Sequence, residues 1–156
     1  MKRFLSIKLF VVALAILFGT LPVSATERPF SLNGKGVASI AGGGPVPVGS
    51  IVGSGNATHL GLFTNTATIY FNPDPNDPTV AHPSGEVVFT AADGDKLYIV
   101  VEDASMSLLT GIGGGTFRIT GGTGRFANAT GSMLAVVEQN FITGAYEVTA
   151  VGKIDY

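Results

Sequence analysis

The run Gly121-Gly122-Thr123-Gly124-Arg125-Phe126 lies between two strand-like stretches and constrains the fold more than any other part of the chain. Its glycines stop a helix from propagating and supply the positive φ that a tight reversal needs. Near the C-terminus, Tyr146, Val148, Ala150, Gly152, Ile154 and Tyr156 share one phase, while Glu147, Thr149, Val151, Lys153 and Asp155 share the other. That period of two is the signature of a half-buried strand. Residues 96–103 and 115–120 alternate in the same way. Further strands are expected over 30–40, 47–53, 58–64, 67–71, 86–91 and 132–139. Beyond the N-terminal segment, no window of a dozen residues carries apolar positions at helical spacing.

The connections fit an antiparallel arrangement. Asp93-Gly94 between two apolar runs is a hairpin signal, because both residues tolerate positive φ. Asn72-Pro73-Asp74-Pro75-Asn76-Asp77-Pro78 loses donors to its prolines and is expected to be an exposed loop running to about Ser84. Gly42-Gly43-Gly44-Pro45 marks another break. Eight or so short antiparallel strands make an all-β barrel or sandwich. The barrel is preferred, because closure removes exposed strand edges.

The first residues have the layout of an export signal. Lys2, Arg3 and Lys8 form a basic start, an apolar run over 9–18 follows, and Val23-Ser24-Ala25 offers small residues for cleavage. About ten apolar residues fall short of the roughly twenty that cross a bilayer. The expected organisation is a cleaved signal over 1–25 and one barrel domain over 26–156, secreted or periplasmic. The signal holds three of the nine bases and none of the eleven acids, so the net charge falls from −2 to about −5 on cleavage. An acidic surface argues against nucleic acid as a partner. The chain has no cysteine, so packing and backbone pairing alone must hold it.

Phe117-Arg118-Ile119-Thr120-Gly121-Gly122-Thr123-Gly124-Arg125-Phe126-Ala127-Asn128-Ala129-Thr130-Gly131 resembles the Gly-Gly-Thr-Gly-x-Phe segment of the allene oxide cyclase and dirigent barrel superfamily. Gly55-Asn56-Ala57-Thr58-His59-Leu60-Gly61 and Ala91-Ala92-Asp93-Gly94-Asp95 resemble segments of small secreted bacterial proteins of that type. The resemblance implies a calycin-like, eight-stranded antiparallel β-barrel with a largely apolar cavity, often a homotrimer. The family's cavity chemistry does not carry over. The plant cyclases use a cysteine that this chain lacks, and the acidic and arginine motifs of dirigent barrels have no counterpart here. The matched glycines and Phe126 transfer structure only.

Few residues are candidates for chemistry. Gly122-Thr123-Gly124-Arg125-Phe126-Ala127 fits the form of a dinucleotide-binding turn, but no helix start or βαβ unit accompanies it. Asn72, Asp74 and Asn76 are spaced like the first ligands of a calcium loop, yet Asp77 and Pro83 stand where glycine and glutamate belong. With no cysteine and only His59 and His82, no metal and no cofactor is expected. No serine stands in a nucleophile elbow.

His59 is placed in a strand, on the phase of Gly61 and Phe63, and is either a cavity imidazole able to move a proton or a structural histidine. Glu102, Arg118 and Glu138 are charges within apolar strands, able to orient a ligand if buried and ordinary if solvated. Tyr98 and Tyr146 could offer a cavity their polar tips. A transmembrane barrel is a rival reading of the aromatic C-terminal strand, opposed by the missing Trp and the short strands. After cleavage no stable membrane insertion is expected. Three functions stay open: a module binding a small hydrophobic molecule at His59, Tyr98, Glu102, Arg118, Glu138 and Tyr146; a cyclase or isomerase of a hydrophobic substrate; or a packed structural barrel.

Overall fold

The computed structural model describes residues 26–41 and 44–156. The export signal read over 1–25 lies outside the described residues, as do Gly42 and Gly43 of the glycine–proline break. Among the described residues, eight antiparallel strands close into one barrel in chain order: β1 (Arg28–Ala41), β2 (Val48–Ala57), β3 (Gly61–Pro73), β4 (Val80–Ala91), β5 (Lys96–Ser107), β6 (Ile112–Gly122), β7 (Thr130–Gln139) and β8 (Ala145–Asp155). β8 pairs back onto β1, so the sheet has no open edge.

The strands are longer than expected, and the reasons are local. The two segments foreseen over 58–64 and 67–71 form one strand. Phe63, Asn65, Ala67, Ile69 and Phe71 all lie on its inner phase, and the polar Asn65 had hidden that continuity. The loop foreseen to reach Ser84 ends at Thr79, where β4 begins. Pro83 is tolerated because the register of β4 on β5 shifts between Ala81 and Gly85. β5 changes phase as well. Leu97 and Ile99 face inward, then Ala104 and Met106, because the register against β6 shifts between Val101 and Asp103. In the β4–β5 turn Gly94 takes positive φ, at 92°, and Asp93 does not.

One end of the barrel is plugged. Leu97, Phe126 and Ile154 are fully buried there, with Phe30, Leu60 and Ile119 beside them. The Phe63 and Phe89 rings meet edge to face at 4.8 Å, a contact worth about 0.5–1.5 kcal/mol beyond its area. The glycine turn makes this plug possible. Gly124–Phe126 form a single 3-10 turn that drives Phe126 into the core. Its Arg125 stays outside, paired with Asp93 and with Asp95 Oδ2 at 3.1 Å, and donates to the His59 carbonyl at 3.3 Å. Three turns are thereby tied over the plugged end. Apolar side chains face inward along every strand, while Ser, Thr, Asn, Lys and Glu dominate the outward phases.

Candidate functional site: an apolar cavity with one polar belt

Above the plug the interior is not filled. A cavity of about 110 Å³ is walled by Ile51, Ala67, Ile69, Val101, Met106 and Phe117 among others. No Asp, Glu, Lys, Arg or His side chain lines it. Its buried polar side chains are Asn65, Gln139 and Tyr146.

These three belong to one row of cross-strand neighbours. Gln139 of β7 faces Tyr146 of β8, Tyr146 faces Gly36 of β1, Gly36 faces Gly53 of β2, and Gly53 faces Asn65 of β3. The two glycines leave a trough across β1 and β2, and the Tyr146 side chain lies in it. A Cβ on Gly36 would stand 2.8 Å from Tyr146 Cε1, and one on Gly53 would strike the Tyr146 hydroxyl. Tyr146 thereby reaches Asn65 two strands beyond its nearest neighbour. Asn65 Nδ2 donates to the hydroxyl at 3.0 Å, and the hydroxyl lies 3.1 Å from Asn65 Oδ1, to which it donates. Burial pushes the Tyr146 hydroxyl above its ordinary value, and the bond to Asn65 pulls the other way. The next inward row repeats the device from the opposite side. There the Phe63 ring lies over Gly55 and Gly34, with Cζ 3.3 Å from where a Gly34 Cβ would be.

Gln139 completes the belt differently. Its Nε2 donates to the carbonyls of Gly144 at 3.1 Å, Ala145 at 3.3 Å and Asn140 at 3.4 Å, which fixes the β7–β8 turn. Gln139 and Tyr146 border both the cavity and an open surface recess edged by Leu108, Leu109, Phe141 and Ile142.

Of the six residues singled out from sequence, the structure places Tyr146 on the cavity wall and the other five elsewhere. His59 is not in a strand. It occupies the β2–β3 turn at the plugged end with φ of 70°, its Nε2 is 3.0 Å from the Pro29 carbonyl, and its ring meets Tyr156 edge-on. A left-handed histidine is uncommon but permitted, and its side chain is spent on pinning the turn. Glu102 and Arg118 pair at 3.2 Å on the outer wall, where both side chains are about half exposed. Tyr98 takes the outward phase of β5, and Glu138 is exposed on β7. Asn65 and Gln139 escaped notice, although each is a polar residue on an otherwise apolar phase. Phe63-x-Asn65-x-Ala67 and Met133-x-Ala135-x-Val137-x-Gln139 carried that signal.

The proline-rich loop holds a second polar cluster. Asp74 Oδ1 accepts from the Asn76 and Asp77 amides, and its Oδ2 lies 2.9 Å from His82 Nε2. His82 Nδ1 is 3.3 Å from the Ala104 carbonyl on β5. The bond to Asp74, then the Ala104 carbonyl, raises the His82 value, and that bond together with the Asn76 amide lowers Asp74. Nearby Asp103 also favours the imidazolium. Asn72, Asp74 and Asn76 do not converge as ligands: Asn72 Nδ2 donates to the His82 carbonyl and to Ser84 Oγ. Among the described residues no cluster of three His, Asp or Glu is placed to hold a metal.

Among solved structures, the barrel matches that of a pterocarpan synthase dirigent protein, with a TM-score of 0.56 over 91% of this chain and 99% of that chain at 11% sequence identity. The likeness shows the fold: the chain is a dirigent-like, eight-stranded antiparallel barrel, as its glycine-turn resemblance implied. No protein-family model and no curated protein matches the chain.

Two outcomes follow from the geometry. Gly53→Ala sets a methyl against the Tyr146 hydroxyl and 2.6 Å from the Lys35 carbonyl. Overpacking of that kind costs about 1–3 kcal/mol, read as a lower urea midpoint; an unchanged midpoint would mean that the trough does not seat the ring. The His82–Asp74 pair has a defined pH window. A raised histidine contributes stability that is fully present below its unfolded value near 6.5 and is lost as pH rises through the folded value. The lowered Asp74 contributes above its unfolded value near 3.8 and loses that contribution as pH falls through its folded value. The Tm difference between the native chain and His82→Ala is therefore expected to be largest near pH 5 and to shrink towards pH 8; a difference that grew with pH would overturn the pairing.

Proposed function

We propose that the domain is an exported binding module that takes up a small, largely apolar molecule inside the barrel. The observation that carries this reading is the unfilled, charge-free cavity above a fully packed plug. Apolar pockets with a few convergent polar groups are the usual form of a small-molecule site. An interior packed solid would have favoured a purely structural barrel. A cyclase or isomerase that relied on His59, Glu102 or Glu138 draws no support from the geometry, because none of the three lines the cavity. Export to the periplasm or the exterior is supported by the basic, apolar and small-residue layout of residues 1–25. A water-facing barrel is supported by the outward Ser, Thr, Asn, Lys and Glu that interrupt its exposed apolar side chains, whereas a transmembrane barrel carries a continuous apolar band outward.

Titration of the purified domain, residues 26–156, with benzene and methylcyclohexane is expected to give saturable NMR shifts at the inward methyls of Val101, Met106 and Met133. Ala67→Leu adds three carbons to the wall and is expected to abolish those shifts while the fold persists. No saturable shift in the unaltered domain would sink the reading.

The outer wall supports self-association. Leu134 and Val151 face each other across β7 and β8, are 64% and 65% exposed, and adjoin exposed Val136. A contiguous exposed apolar patch on a polar surface marks an interaction site, and the barrels of the family that this chain resembles are often homotrimers. Light scattering on the eluting protein is expected to give a trimer mass that Leu134→Lys reduces; a monomer at high concentration would reject it.

A further inference from the structure

We infer that the cavity selects a neutral, ring-sized molecule carrying one hydrogen-bond donor, and that Gln139 Oε1 is the acceptor which recognises it. The inference rests on the binding reading above and narrows it by three independent constraints. Size comes first. An apolar cavity of about 150 Å³ accommodates benzene, so the 110 Å³ available here limits the part of a guest held inside to about the bulk of a single six-membered ring.

Charge is the second constraint. The wall holds no Asp, Glu, Lys, Arg or His. An ionised ligand group would lie in an apolar interior without a counter-charge, at a cost far above any gain from packing. A carboxylate or ammonium ligand is therefore rejected.

The third constraint is the state of each buried polar side chain on the wall; Ser105, which also lines it, is exposed. Asn65 and Tyr146 are bonded to each other, hydroxyl to carbonyl and amide to hydroxyl. Gln139 is only 7% exposed, and its Nε2 is committed to the Asn140, Gly144 and Ala145 carbonyls. None of the hydrogen bonds to the described residues reaches its Oε1. Among the buried side chains of the wall, that oxygen is the acceptor left for a ligand. A site built around such an acceptor favours a ligand with an O–H or N–H over an isostere without one.

The test compares four ligands of nearly one shape on the unaltered domain: cyclohexanol, cyclohexanone, methylcyclohexane and cyclohexanecarboxylate at neutral pH. Cyclohexanol is expected to bind about ten-fold more tightly than the ketone or the hydrocarbon, the equivalent of one neutral hydrogen bond, and the carboxylate not measurably. Gln139→Leu is expected to equalise cyclohexanol and methylcyclohexane. That variant also loses the bonds that hold the β7–β8 turn, so the ligand comparison on the native domain decides the matter even if the variant fails to fold. Equal affinities for cyclohexanol, cyclohexanone and methylcyclohexane would overturn the role of Gln139 and leave the cavity reading intact. Tight binding of the carboxylate would overturn neutrality. Failure of all four compounds to bind would remove the cavity reading itself, and this inference with it.

Discussion

The interior of this barrel depends on the absence of two side chains. Gly36 and Gly53 are cross-strand neighbours on β1 and β2, and the space they leave is where Tyr146 lies. A side chain at Gly36 would strike the β2 backbone at Val52 and Gly53 and then the ring, and one at Gly53 would strike the Tyr146 hydroxyl and the Lys35 carbonyl. The steric constraint therefore sets three features together: the depth of the cavity, the reach of the hydroxyl to Asn65, and the position of the polar belt. Gly34 and Gly55 do the same for Phe63 one layer lower, where the ring fills the barrel as part of the plug. Two similar troughs give opposite results because one receives an amphipathic ring tethered at its tip and the other an apolar ring stacked on Phe89.

The two ends of the barrel divide the work. The plugged end gathers the largest fully buried side chains, and the ion pairs of Arg125 bind its turns from outside. Burial of each such side chain contributes about 1.5–3 kcal/mol, whereas the exposed ion pairs add little. A second buried cluster, of Ile69, Phe71, Ala81 and Met106, packs around the cavity. The open half has an apolar wall that includes Ile51, Ile69, Val101, Met106 and Phe117, and carries its buried polar side chains as a single row. A cavity is tolerated because the plug and the closed hydrogen-bond ladder hold the shape without it. The likeness to a dirigent protein at 11% identity fits this division, since what the two chains share is the closed ladder. A shared architecture does not specify what the interior does.

How much of this was visible in the sequence can be argued residue by residue. The alternation of β8 revealed its inward face correctly, because Tyr146, Val148, Ala150 and Ile154 are on one phase with no bulge to break it. The glycine turn revealed the β6–β7 reversal and Phe126 as its packing residue. His59 was misplaced, because nothing in Thr58-His59-Leu60 announces a left-handed turn; what holds it there is Pro29 and Tyr156, contacts remote in the chain. Glu102 misled for a related reason, since it stands at the shift that moves β5 from one phase to the other. Asn65 and Gln139 were legible only as polar interruptions of an apolar phase. Their meaning depended on a register that closes across the first and last strands, which no local pattern encodes. The belt exists because Tyr146 and Gly36, 110 positions apart, are neighbours.

The chemistry that this interior can perform follows from what titrates within it. General acid–base catalysis needs a group whose value lies near the working pH. The cavity wall offers one titratable side chain, Tyr146, and burial moves it further from neutrality rather than towards it. The imidazoles of His59 and His82 lie off the cavity wall, committed to the β2–β3 turn and to the proline-rich loop. Asn65 and Gln139 are neutral amides already engaged in hydrogen bonds, and Tyr146 is bonded to Asn65. What this interior presents is therefore a set of neutral hydrogen-bonding side chains, held in one row by a register that closes the barrel, within an otherwise apolar wall.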